Sequence, residues 1–277
     1  MSLKGKNETL TTGHYARELK LEDILKLKSQ DSKLVSKHVA DKLELEARKN
    51  WDLFYKRNED RFFKDRHWTR REFEELVQDG CNGKRMFEVG CGAGNLIYPL
   101  LEEGCEMFMY ACDLSPRAID LVKAHVLYSE KNIKAFQTDI TTDEVLKEIS
   151  EESLDIITLI FVLSSIHPCK FHQVLRVLYR ILKPRGVILF RDYGLYDMAQ
   201  LRFKPGHKIA DNLYMRQDGT RSYYFSEEYL AELLVGAGFE IVSNTYIQRR
   251  TVNKKDGIDV PRIFIQAKAK KPVVPTT

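Results

Sequence analysis

KRMFEVGCGAG, residues 84–94, runs from a charged pair through a short apolar stretch and ends on three glycines at every second position. A stretch rich in apolar and aromatic residues, closed by glycines that permit a tight turn, reads as a β-strand that delivers the chain into a helix. The first turn of that helix has N–H groups with no intrahelical partner, so the end of the strand becomes a cradle of amide donors. The spacing is GxGxG and not the GxGxxG of pyrophosphate binders, and taken alone it also fits a generic strand-to-helix turn.

Further strands follow in EMFMYACD (106–113), IKAFQTD (133–139), LDIITLIFVL (154–163) and GVILFRD (186–192). Helical stretches are expected at about 94–103, 115–127, 141–149, 168–182 and 226–236, with Ser115-Pro116 as an N-cap and first-turn pair and Lys183-Pro184 as a stop. Strand and helix in alternation mean a parallel sheet covered on both faces, with right-handed crossovers. FEIVSNTYI (239–247) and RIFIQAK (262–268), separated by Asn253-Lys254-Lys255-Asp256-Gly257, then read as an antiparallel hairpin. The α/β class with that terminal hairpin is similar to the class I, Rossmann-like, seven-stranded S-adenosylmethionine-dependent methyltransferase fold.

Composition bounds the rest. With 277 residues, 43% of them hydrophobic and 30% charged, the chain supports one decorated domain or at most two, and ordinary Gly, Pro and Cys contents exclude collagen-like, disulfide-scaffold and disordered classes. The five cysteines form no CxxC pair and follow no signal-peptide pattern, which reads as reduced thiols in the cytoplasm or nucleus. The longest apolar stretch, residues 154–166, contains Asp155, Thr158, Ser164 and Ser165 and falls short of the ~20 residues of a membrane span. Residues 14–50 have the texture of charged, partly amphipathic helix, and the terminal AKAKKPVVPTT that of a solvated tail. The expected division is a helical extension and lid over residues 1–79, a methyltransferase domain over 80–268 and a flexible tail over 269–277.

Asp113 lies 23 residues beyond Gly90 at the end of the second strand, where a carboxylate can accept hydrogen bonds from two ribose hydroxyls. Asp139 ends the third strand, placed to receive an adenine amino group, with Ile140 beside the ring. NAD would also use the glycines and Asp113; S-adenosylmethionine, leaving as S-adenosylhomocysteine, better explains Asp139 and the hairpin.

NWDLFYKRNEDRFFKDRHWTRREF (50–73), EVGCGAGN, ACDLSPRAID, LIFVLSSIHP, LFRDYGLYD, YMRQDGTRSYYF and TVNKKDG, in order over about residues 40–268, resemble the eukaryotic methyltransferase-like enzymes that make 3-methylcytidine in tRNA. The resemblance implies modification of the anticodon loop at position 32. Within the family the chain is most similar to the shorter cytosolic branch, which acts on serine tRNAs and works with seryl-tRNA synthetase; sister branches act on threonine and arginine tRNAs. It further implies cofactor contacts from Trp51, Tyr55, Gly90, Asp113, Asp139, Ile140 and Ile160, the first two from a lid. Their i, i+4 spacing puts Trp51 and Tyr55 on one helix face, where they can cover an adenosine or simply staple the helix to the sheet.

Cytosine N3 carries a lone pair and needs no strong base; the site has to align N3 and oppose a developing positive charge. Asp192 is the candidate partner of the cytosine and Tyr193 the residue that shapes the pocket, against the alternative that Asp192 pairs with a neighbouring arginine. His167, Cys169 and His172 lack a fourth partner in zinc spacing, so no metal is expected. RNA contacts are expected from two basic, aromatic clusters and the hairpin tip: Arg66, Arg70 and Arg71; Arg202, Lys204, Arg216 and Arg221; Lys254 and Lys255. A net charge of +4 is too small to establish an RNA partner by itself, and a solvated face explains either cluster equally. The expected partners are a tRNA anticodon stem-loop and seryl-tRNA synthetase, with no membrane. A small-molecule or protein methyltransferase and a non-catalytic cofactor-binding adaptor are the alternatives.

Overall fold

In the computed structural model, which describes residues 11–13, 16–77, 81–253 and 258–273, the alternating texture becomes a doubly wound sheet. Strand β1 (Thr11–Gly13) precedes helices α1 (Leu21–Gln30), α2 (Lys37–Leu45), α3 (Ala47–Asn58) and α4 (Trp68–Glu72). Then come β2 (Arg85–Val89), α5 (Ile97–Glu102), β3 (Phe108–Asp113), α6 (Pro116–Ala124), β4 (Ile133–Gln137), β5 (Leu154–Ile160), α7 (Phe171–Ile181) and β6 (Leu182–Tyr193). A single turn, α8 (Met198–Leu201), leads to β7 (Lys208–Ala210), β8 (Leu213–Met215) and β9 (Arg221–Tyr223). Helix α9 (Glu227–Gly236) and the hairpin of β10 (Glu240–Asn253) and β11 (Ile258–Lys270) follow.

The sheet order is β4-β3-β2-β5-β6-β11-β10-β1. Strands β2 to β6 are parallel, and β11 turns antiparallel against β6, pairing Ile265 with Asp192. The expected seven strands are present and β1 adds an eighth on the β10 edge. From β2 the chain winds out to β3 and β4 and then crosses back to β5, so the order reverses at β2 and a crevice opens beyond the carboxyl ends of these strands.

Both faces are covered. Phe87, Val89, Ile157 and Leu159 point into a core built with α7 and α9; Met86, Met109, Ile156 and Ile160 point into a second core built with α5 and α6. Helix α7 buries Phe171, Val174, Leu175, Val177, Leu178 and Ile181, the recurrence of a single apolar face. Ser115 caps α6 as expected, its hydroxyl accepting from Ala118 N at 3.3 Å with Pro116 in the first turn.

Four features differ from the sequence reading. Residues 141–149 form only a short 3₁₀ segment, Asp143–Lys147. The Lys183-Pro184 stop falls inside an extended β6, which absorbs it by a register shift against β5. Residues 208–223 build a separate three-stranded antiparallel sheet. Strand β11 continues to Lys270, and the next residue, Lys271, is buried, donating to Glu152 at 2.8 Å and to the carbonyls of Tyr179 and Leu182. The solvated tail therefore cannot begin at 269: a buried ammonium needs these acceptors.

Candidate active site

Two backbone conformations shape the floor of the crevice. Gly90 and Gly92 have φ of +63° and +57°, a region that side chains disfavour, and the space above them is taken. A Cβ on Gly90 would lie 2.5 Å from Val162, and one on Gly92 would lie 2.8 Å from the Tyr55 hydroxyl. The end of β2, the loop after β5 and helix α3 thus close on one another, and only glycine admits that approach.

Asp113 stands beside this turn. Its carboxylate accepts hydrogen bonds from Gly92 N at 3.1 Å and Ser115 N at 2.9 Å. Burial pushes its carboxyl up to about 6, while the N–H groups of Ser115 and Gly92 act in the opposite direction. A carboxylate offers about four acceptor positions, so two remain for a ligand's hydroxyls. Asp139 accepts from Thr141 N at 2.9 Å, and Ile140 is buried beside it. The Thr138 hydroxyl is buried without a hydrogen-bond partner and lines the same crevice.

Helix α3 covers this arrangement. Trp51 and Tyr55 both line the crevice, their ring centroids 6.3 Å apart, and Tyr55 also packs with Phe54 against Ala118. Asp52 fixes the helix from beneath, accepting from Ser115 Oγ at 3.0 Å and Arg117 Nε at 2.9 Å. Trp51 and Tyr55 thus line the crevice, and Tyr55 also staples the helix to α6. The enclosed space is about 1130 Å³, counting its open mouth.

Six of the seven expected cofactor residues line this cleft. The side chain of Ile160 does not; it is buried in the second core, and the wall is made by Phe161 and Val162. Phe161 has φ of +58°, a costly conformation for an aromatic residue, and nothing in the local sequence signals it. Its ring lies 5.2 Å from that of Tyr193 and 5.3 Å from that of Phe264.

Asp192 lies behind the wall of the cleft. Its carboxylate is fully buried, accepts from Ser164 N and Tyr193 N at 2.9 Å each, and does not line the cleft. Burial pushes its carboxyl up to about 6, against the hydrogen bonds of Ser164 and Tyr193 and the charge of Arg216. The Ser164 bond ties it to the loop that follows Phe161 and Val162, and the Tyr193 bond to its own strand. Tyr193 is half-buried, with Arg216 5.3 Å and Arg262 6.0 Å over its ring.

The expected RNA contacts divide. Arg66 turns inward: its Nη1 donates to the Ile160 carbonyl at 3.3 Å and lies 3.7 Å from Glu88. Glu88 is buried with neither oxygen hydrogen-bonded, and burial pushes it up to about 8 against the opposing charge of Arg66. Arg70 pairs with Glu103 and Arg221 with Glu44, while Arg216 sits over Tyr193. Arg71, Arg202 and Lys204 are exposed and form no ion pair among the described residues. Lys254 and Lys255 lie outside the described residues. His167 Nδ1 lies 3.0 Å from the exposed thiol of Cys169, at the end of the cleft where Lys170 follows.

Comparison with known proteins converges on this geometry. A family model described as a methyltransferase domain matches residues 55–244. The mouse tRNA N(3)-cytidine methyltransferase METTL6 is 56% identical over 94% of this chain and 93% of its own length. The chain belongs to the tRNA N(3)-cytidine methyltransferase family. Another family member, METTL2 of Xenopus tropicalis, is 41% identical over 80% of this chain and 77% of its own. In architecture the chain is similar to the Burkholderia thailandensis 1,6-didemethyltoxoflavin-N1-methyltransferase solved with S-adenosylhomocysteine: TM-score 0.58 over 98% of this chain and 99% of that one, at 16% identity. The fold is that of the S-adenosylmethionine-dependent methyltransferases. The glycine cradle, the acceptor positions left on Asp113 and the unpartnered hydroxyl of Thr138 fit that cofactor.

Proposed function

We propose that the protein methylates N3 of a cytidine at position 32 in the anticodon loop of tRNA, with serine tRNAs as substrates and seryl-tRNA synthetase as a partner, in the cytoplasm and nucleus. The observation that carries the reading is the cleft itself, in a chain that matches a tRNA N(3)-cytidine methyltransferase along nearly its whole length. The bound cofactor supplies an activated methyl group. Asp113 and Asp139 hold its nucleoside, Trp51 and Tyr55 close over it and exclude water, and Asp192 keeps the Phe161 loop in register. Tyr193 sits behind Phe161 at the wall that a flattened, unstacked base meets.

RNA reaches the cleft over a surface on which Arg71, Arg202 and Lys204 stay available for phosphates. Arg70 supports the fold instead, since it already satisfies Glu103, and Arg221 is paired with Glu44 inside the cleft and not on the phosphate-facing surface. Mass spectrometry of nucleosides from purified tRNA incubated with the protein, with and without seryl-tRNA synthetase, tests the proposal. 3-Methylcytidine confined to serine tRNA and raised by the synthetase is the expected outcome. Methylation of threonine or arginine tRNA in its place would reassign the substrate, and no 3-methylcytidine at all would refute the reading.

A further inference from the structure

With Asp192 withdrawn to the backbone, the target base lacks a carboxylate partner. Among the described residues only three carboxylates line the cleft: Asp113, Asp139 and Glu44. The first two belong to the adenosine end, with Leu114, Thr138 and Ile140. Glu44 lines the cleft beside Lys170, which follows the loop after β5, and Arg221, which reaches in from β9.

Glu44 is held there from two sides. Lys170 Nζ lies 2.6 Å from Oε1, and Arg221 Nη1 donates to Oε2. Each oxygen therefore carries one cation and keeps a further acceptor position. Burial alone would raise this carboxyl, and the hydrogen bonds and charges of Lys170 and Arg221 more than reverse it, leaving it below the ordinary carboxylate range. Glu44, Trp51 and Tyr55 recur at spacings of seven and four along the nearly continuous α2 and α3, so one helical face carries both the cofactor cover and this carboxylate. Neither composition nor spacing marks it, because the two cations that give it meaning lie 126 and 177 residues away.

We propose that Glu44 is the carboxylate that holds the target cytosine, accepting a hydrogen bond from its N4 amino group, while Arg221 and Lys170 position Glu44 and present a donor to O2. The proposal rests on the cytidine-N3 reading above. An acceptor flanked by donors matches the N4 and O2 groups on either side of N3, and it leaves N3 facing along the cleft. In the transfer, the N3 lone pair forms the new N–C bond while the S–C bond breaks and its electron pair stays on sulfur. The positive charge moves from sulfonium to the ring, and no proton moves. Glu44 then faces a cation at short range in a partly enclosed cleft, where opposite charge is worth more than in open water.

The test uses the full chain and an anticodon stem-loop RNA carrying either cytidine or 3-methylcytidine at the target position. Glu44→Gln should slow single-turnover methylation on the order of 10- to 100-fold, the loss of one charged hydrogen bond. It should also abolish the preference of the S-adenosylhomocysteine-loaded protein for the methylated loop, with S-adenosylhomocysteine affinity unchanged. Glu44→Asp, which keeps the charge, should retain that preference and guards against a general loss of folding. A Glu44→Gln protein with wild-type single-turnover rate overturns the proposal. So does one that loses cofactor affinity and binds both loops equally less well, since that is the behaviour of a latch on α2. A wild-type protein that forms no 3-methylcytidine refutes the reading beneath the proposal, and the proposal falls with it.

Discussion

Replacing Asp113 by Asn keeps the shape of the side chain and one acceptor oxygen but removes the charge at the centre of the cofactor site. In the native protein the carboxylate accepts from Gly92 N and Ser115 N and has two acceptor positions left for ribose hydroxyls. Hydrogen bonds to a charged group contribute ~1.5 to 3 kcal/mol each. Losing the charge on two of them therefore costs about 3 kcal/mol of binding, which is on the order of 100-fold in affinity. The fold is affected as well: Gly92 N and Ser115 N donate to different oxygens, so the amide nitrogen of Asn must face one of them, and chemical denaturation should show a loss of ~1 to 3 kcal/mol alongside the loss of affinity. The pH dependence carries a second signature. Because the folded value is raised, a proton competes with the ligand below about 6, and affinity should fall toward tenfold per pH unit there while staying flat above pH 7. Calorimetric titration with S-adenosylhomocysteine at pH 5.5 and 7.5 measures both effects. An Asp113→Asn protein that binds as tightly as wild type at pH 7.5, or that keeps the acid-side decline, would refute this account of the site.

Glu88, raised by burial to about 8 from 4.5, makes the cofactor-free fold most stable when protonated; that stability is fully present below about 4.5 and is lost as pH rises through about 8. The loss is on the order of a few kcal/mol, and thermal unfolding from pH 6.5 to 8.5 should decline clearly in wild type and much less in Glu88→Gln. Asp192→Asn turns an amide nitrogen toward Ser164 N or Tyr193 N, and chemical denaturation should show a loss of ~1 to 3 kcal/mol with any effect on turnover following from displacement of the loop. For RNA, alanine at Arg71, Arg202 or Lys204 should each reduce the slope of log affinity against log salt by ~0.7 to 0.9, whereas alanine at Arg70, already paired with Glu103, should leave the slope unchanged. Slopes that do not respond to the exposed three would remove them from the RNA surface.

The sheet, its terminal hairpin and the adenosine end of the cleft were legible in the chain because their signals are local. The glycine turn, a carboxylate closing each of the second and third strands, and short apolar strands alternating with helices are patterns of adjacent residues. The same holds for Ser115-Pro116, whose capping depends on the next turn only. What the tertiary structure decided was which side chains face the cleft. Ile160 and Phe161 are neighbours, yet one is core and the other wall, since a left-handed residue at 161 turns the chain at the strand's end. Asp192 looked catalytic from its place near a strand end, but Ser164 N of the loop after β5 donates to one of its oxygens and Tyr193 N of its own strand to the other. Arg66 and Arg221 counted as free cations until Glu88 and Glu44 were brought to them. A motif sets what a residue can do; its partners, drawn from distant parts of the chain by packing, set what it does.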